Sequence, residues 1–182
     1  MSHSNTTRMI DYWSAQKGDG PAPPRAAIDP AQFSDIITQA FMIGRTRTGV
    51  YPFRLAGGLL EDLHRRPLRG ADFMALWTVS DRPRIAAAVE SALHRGDALL
   101  AQVLGRTLQG HQAKLEVVLA PLAGPAGQVD RMLGLYQPVS PLFRLHNEAI
   151  EHLFLLDIAF ADTGLAPPSP LRIAAVDGRR IA

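Results

Sequence analysis

The stretch "ALLAQVLGRTLQGHQAKLEVVLAPLAGPAGQVDRMLGLYQPV", Ala98 to Val139, decides the fold class. Two turn signals divide it. "LQGH" separates residues 98–107 from 112–122, and "AGPAGQ" separates the latter from 129–139. In the middle segment Ala113, Leu115, Val117 and Leu119 alternate with Lys114 and Glu116. That is the period of two of a strand. Connections this short join antiparallel neighbours, because a parallel return needs a long crossover. The sequence therefore predicts a three-stranded antiparallel meander.

Upstream, "RPRIAAAVESALHRGD" places Ile85, Val89, Ala92 and Leu93 at helical spacing. Ser80 or Asp81 is its expected cap and Gly96 its stop. "AFMIGRT" and "VYPFRLA" are short and apolar, with a Gly49 turn between them, and predict a hairpin. Between that hairpin and the long helix, the stretch after Phe53 and "FMALW" suit short helices. "IDPAQFSDIITQ" predicts another, with Asp29 as N-cap, Pro30 at the first position and Phe33, Ile36 and Ile37 buried. Residues 1–7 are polar, and "RMIDYWSAQK" predicts a helix over 8–17 with a Met9, Tyr12, Trp13 stripe. "GDGPAPPR" interrupts regular structure. After the meander, "EHLFLLDIAFAD" (151–162) alternates, with Phe154, Leu156, Ile158 and Phe160 on one face, and predicts a further strand followed by a Pro-rich arm.

The order is an α+β one, with an antiparallel sheet and its helices inserted between strands two and three. The expected division is an N-terminal helix and linker (1–27), a core (28–140) and a C-terminal extension (141–182).

Composition bounds the function. Nineteen Lys and Arg against seventeen Asp and Glu give +2, too balanced for a dedicated nucleic-acid surface. The absence of Cys excludes disulfides and thiol chemistry. No apolar run is long enough for a membrane span, and the N-terminus lacks a secretory pattern, so a cytoplasmic location is expected.

The motif string "YW" (Tyr12, Trp13), "PPRAAIDP" (23–30), "FRLAGG" (53–58), "LRGADFMALW" (68–77), "DRPR" (81–84) and "LAPLAGPAGQVDRMLG" (119–134) resembles a PAS-like family abundant in alphaproteobacteria and long without an assigned function. The resemblance spans roughly residues 10–140. It implies a five-stranded antiparallel sheet and a role in signal input or protein–protein interaction, not catalysis. It further implies small-ligand binding between sheet and helices, and pairing through an N-terminal helix. Two departures are present. Gly58 stands where the family commonly has Thr or Ser, and the "W-x-G" often found between the last two strands is absent.

Candidate site residues follow. A pocket between sheet and helices would be lined by Arg54, Phe73, Trp77, Ile85 and Val89. Arg54 lies on an otherwise apolar strand, opposite Phe53 and Leu55 by alternation, and if buried needs Asp72, Asp81 or an anionic ligand. Trp77 packs as core, or offers its indole N–H to a ligand. The knot "HRRPLR" carries Arg65, Arg66 and Arg69, whose planar forks suit phosphate. Arg65 and Arg69 have the R-x-x-x-R spacing of a cyclic-dinucleotide receptor family, but that family's D/N-x-S-x-x-G element is missing. Met9, Tyr12 and Trp13 are the expected homodimer interface.

No cofactor is evident. His94 ends its helix beside Arg95 and Gly96, which suits helix-dipole stabilisation better than haem ligation. His146, Glu148, Glu151 and His152 fit a polar linker better than a metal site. No nucleophile–base pair emerges. The expected function is a sensory or regulatory module for a small ligand or a signalling partner, with a nucleotide receptor on the Arg knot as the alternative.

Overall fold

Three long antiparallel strands form the middle and one flank of the sheet: β3 (Ala98–Arg106), β4 (Gln112–Ala123) and β5 (Val129–Pro138). The computed structural model describes residues 2–47 and 49–161. The predicted hairpin is present as β1 (Ala40–Gly44) and β2 (Phe53–Ala56), and the late strand as β6 (His152–Ala161). The six strands run in the order β2-β1-β5-β4-β3-β6, all antiparallel.

Three helices accompany the sheet: α1 (Ser4–Gln16), α2 (Gly58–His64) and α3 (Arg82–Arg95). As expected, α2 and α3 lie between the second and third strands, with a 3-10 turn at Phe73–Leu76 between them. α3 closes on Gly96, whose φ of 67° is the left-handed C-cap that glycine adopts without strain. A Cβ there would sit 1.9 Å from the Pro21 carbonyl, so the same glycine also admits the incoming N-terminal segment.

Both sheet faces are covered. On the inner face, Phe41, Phe53, Leu115, Val117 and Tyr136 pack against Leu60, Phe73, Trp77, Ile85 and Val89. On the outer face, Leu100, Val118, Ala120, Leu122, Leu133 and Leu135 pack against Met9, Trp13, Phe33 and Ile36. β4 is consequently buried on both sides from Leu115 to Leu122.

Four expectations are corrected. First, α1 starts at Ser4, well into the polar residues, because Glu116 of β4 holds its first turn. The Glu116 carboxylate accepts from the His3 N–H (3.0 Å) and the Thr6 hydroxyl (2.5 Å), and Gln102 donates to it at 3.1 Å. A carboxylate at a helix N-terminus also complements the helix dipole. Second, the stripe expected to pair two copies lies on the chain's own sheet. Met9 and Trp13 are fully buried, and the Trp13 indole donates to the Pro121 carbonyl at 2.7 Å. Third, "IDPAQFSDIITQ" forms two 3-10 turns, Pro30–Phe33 and Ile37–Gln39, and Ile37 is 43% exposed.

Fourth, two β-bulges shift the alternation. Met42 pairs with Leu55 while Ile43 pairs with Phe53, so Arg54 is the extra residue of β2. Gln102 pairs with Asp157 while Val103 pairs with Leu155, so Leu156 is the extra residue of β6. Each extra residue moves the following side chains to the other face. Leu55 is therefore 51% exposed and no longer shares a face with buried Phe53. Leu153 and Leu155 are buried, Ile158 and Phe160 pack on the inner core, and Leu156 is 51% exposed. The arm expected beyond residue 161 lies outside the described residues.

Candidate functional site in the sheet–helix interior

Four of the five predicted pocket residues meet in the inner core. Phe73, Trp77, Ile85 and Val89 are fully buried there. Aromatic rings form a connected run: Phe41 to Phe53 at 5.6 Å, Phe41 to Phe73 and Phe53 to Phe73 at 5.8 Å, and Phe73 to Trp77 at 5.7 Å. The edge-on and offset geometries are those aromatic pairs prefer.

Trp77 is held at the junction of this cluster with β6. Its backbone bridges Leu153, and the Thr78 N–H donates to the Leu153 carbonyl at 3.1 Å. Asp81 reinforces the junction by accepting from the Thr78 hydroxyl (2.7 Å) and the Leu155 N–H (3.0 Å). Yet the Trp77 indole N–H, fully buried, has no acceptor among the described residues. Leaving such a donor unpaired costs about 1–3 kcal/mol.

The fifth residue, Arg54, is outside. It points away from the core, opposite buried Phe53, and is exposed. Neither carboxylate foreseen for it is available. Asp72 caps the Phe73–Leu76 turn through Met74 and also accepts from Tyr51, and Asp81 serves Thr78 and Leu155.

A polar pair that the sequence reading missed sits in this core. His64, the last residue of α2, is buried and sits between Ile150 and Tyr136. Its Nδ1 lies 2.9 Å from the Ile150 carbonyl and its Nε2 3.1 Å from the Tyr136 hydroxyl. A carbonyl only accepts, so Nδ1 carries the proton and Nε2 accepts from Tyr136. Burial pushes the His64 pKa down to about 4 and raises that of the Tyr136 phenol. Both ring nitrogens are engaged, which makes this pair a structural tie and not a base. The signal was present: His64 follows Leu60 by four positions, on the same helix face.

The Arg knot does not converge. Arg65 adopts a left-handed conformation at the C-cap of α2 and donates to the Asn147 carbonyl and side chain. Arg66 is exposed, and Arg69 lines a separate cleft with Arg54. His94 is exposed at the end of α3. His111 pairs with Glu148 at 2.9 Å and its ring lies 4.2 Å from that of His146. Among the described residues, no group of three or more His, Asp and Glu is placed to hold a metal ion, and no helix is long and apolar enough to cross a membrane.

The PAS domain family matches residues 1–137. No curated protein matches the chain. Solved structures similar to it include an RNA-binding light-oxygen-voltage receptor (20% identity, TM-score 0.49, covering 69% of this chain and 38% of that one). A light-oxygen-voltage protein of Rhodobacter sphaeroides matches at 16% identity and TM-score 0.46, covering 65% and 72% of the two chains. A PAS domain from Colwellia psychrerythraea matches at 18% identity and TM-score 0.45, covering 60% and 92%. The chain thus spans well under half of the RNA-binding receptor it resembles.

Proposed function

Since this chain belongs to the PAS domain family, we propose that it is a non-catalytic sensory or regulatory module. It takes a small, largely apolar ligand between sheet and helices and passes the change to a signalling partner protein. The observation that carries this reading is the Trp77 indole N–H, unpaired among the described residues, in a predominantly apolar, aromatic interior. A ligand with one acceptor oxygen would satisfy that donor, and apolar walls with few polar contacts are the common form of small-molecule sites. The described core packs Phe73, Ile85 and Val89 closely, so a ligand entering there parts α3 from the sheet. The Trp77–Leu153 and Asp81–Leu155 contacts then carry that displacement to β6, at the sheet edge, where a partner can sense it.

Native mass spectrometry of the protein purified from its own host tests the reading. A bound small molecule is expected on the wild type and not on Trp77→Phe, which removes the N–H and keeps an aromatic ring. Host-purified wild type at bare polypeptide mass, or a ligand retained in full by Trp77→Phe, overturns it.

A further inference from the structure

At the β2 edge of the sheet a cleft of about 780 Å3 opens. Its wall carries Arg25, Arg54, Arg69 and Arg131, with Glu61 as the one acid, above the apolar side chains of Met42 and Leu55. The four arginines come from four separate parts of the chain: the 3-10 turn Arg25–Ala27, β2, the loop after α2, and β5.

The convergence depends on backbone detail. The β2 bulge brings Leu55 onto the exposed side that Arg54, opposite Phe53, already occupies. The Arg54 guanidinium then lies across Gly44, where a Cβ would stand 2.8 Å from its Nε. Gly44 is paired with Arg131 on β5, so Arg54 reaches over β1 toward Arg131.

The charges are also left unmatched. Elsewhere Arg8, Arg45 and Arg95 each meet a carboxylate, Asp35, Glu90 and Asp97, at 2.7–2.8 Å. In the cleft, Arg25, Arg54 and Arg69 have no ion pair or side-chain hydrogen bond among the described residues, and Arg131 meets only its neighbour Asp130, at 3.7 Å. Glu61 is already engaged with the Leu68 N–H at 2.9 Å. Four guanidiniums against Glu61 and the Asp130 beside Arg131 leave +2, which equals the net charge of the whole chain, so the rest of the molecule holds no surplus for a nucleic-acid backbone. Like charges gathered in a concave site repel one another until a counter-ion joins them.

We propose that this cleft binds a small organic polyphosphate of the nucleoside di- or triphosphate class. The phosphates match the planar guanidinium forks, and the nucleoside lies against Met42 and Leu55. The volume is within the range of small-molecule sites. The proposal is independent of the interior ligand, since the four arginines, Met42 and Leu55 all lie outside the Trp77 core cluster.

Isothermal titration of the whole chain with ADP, pyrophosphate, adenosine and hexaglutamate tests it. ADP is expected to bind more tightly than pyrophosphate, adenosine and hexaglutamate not measurably, and ADP affinity to fall as salt is raised. The double variant Arg54→Ala/Arg69→Ala, at two exposed positions, is expected to lose about tenfold or more, the loss of a charge-assisted contact. Arg65→Ala/Arg66→Ala, outside the cleft, is expected to bind ADP as the wild type does. Leu55→Glu, on a half-exposed side chain, places a carboxylate in the cleft and is expected to abolish binding. No heat with ADP, undiminished binding by the Arg54/Arg69 variant, or an equal loss in Arg65/Arg66 overturns the site. Pyrophosphate binding as tightly as ADP overturns the nucleoside class, and hexaglutamate binding more tightly than ADP assigns the cleft to an acidic peptide instead.

Discussion

Glu116 shows how one buried charge can organise a terminus. It is 2% exposed, and its partners are the His3 N–H, the Thr6 hydroxyl and the Gln102 amide. Glu116→Ala leaves those donors without an acceptor and is expected to cost about 2 kcal/mol, since each buried unpaired group carries a desolvation penalty. Urea denaturation reads the loss. Hydrogen exchange is expected to localise it, with residues 4–16 exchanging faster before the meander does. Uniform protection across α1 in the variant would refute the assignment. The two glycines of "LAGG" separate in the same way. A Cβ on Gly57 would stand 2.3 Å from the Thr38 carbonyl, whereas on Gly58 it meets nothing within 4 Å. Gly57→Ala is expected to destabilise by more than 1 kcal/mol (roughly; backbone must shift) and Gly58→Ala to be neutral or stabilising by up to about 1 kcal/mol. Thermal melts of the two variants check the contrast. Gly58, where the family commonly has a hydroxyl, thus has open space beside it.

At the scale of elements, the two bulges mark where a period-two reading fails. The sequence of β2 and β6 alternates well enough to predict strands, and both exist. Which side chains face inward was lost at Arg54 and Leu156, because an inserted residue leaves composition unchanged while reversing orientation. The tie between α2 and the segment entering β6 was equally hidden. The Ile150 N–H donates to the Leu63 carbonyl at 2.8 Å, and His64 donates back to the Ile150 carbonyl. This tie gives a pH dependence with a definite sign. His64 titrates near 4 when folded and near its ordinary 6.5 when unfolded. Between those values the unfolded chain binds a proton that the native one does not, so stability rises with pH across the window and falls as pH drops from 6.5 toward 4. The depression corresponds to roughly 3 kcal/mol. Denaturation midpoints of wild type and His64→Phe, compared from pH 4 to 7, check it. The wild type is expected to show the steeper slope, and parallel curves would refute the attribution to His64.

For the molecule as a whole, the consequence is a sheet covered on both faces by its own chain. Removing residues 1–17 uncovers Leu100, Val118, Ala120, Leu122, Leu133 and Leu135, a contiguous apolar face. Such faces associate. The truncated chain is expected to self-associate or precipitate in light scattering. A truncated protein of unchanged mass and solubility would show that α1 is dispensable as a cover. The sequence alone determined the α+β class, the strand order along the chain and the helices between strands two and three, because periodicity, caps and turn residues are local. It also grouped Phe73, Trp77, Ile85 and Val89, as expected pocket lining, and the structure buries all four in one core. Only the tertiary structure decided that the Met9–Trp13 stripe meets its own sheet, that Trp77 keeps an unpaired N–H, and that Arg54 joins Arg25, Arg69 and Arg131 rather than the core. These depend on register, on bulges and on contacts between residues distant in sequence, such as Trp13 and Pro121, which no local pattern encodes.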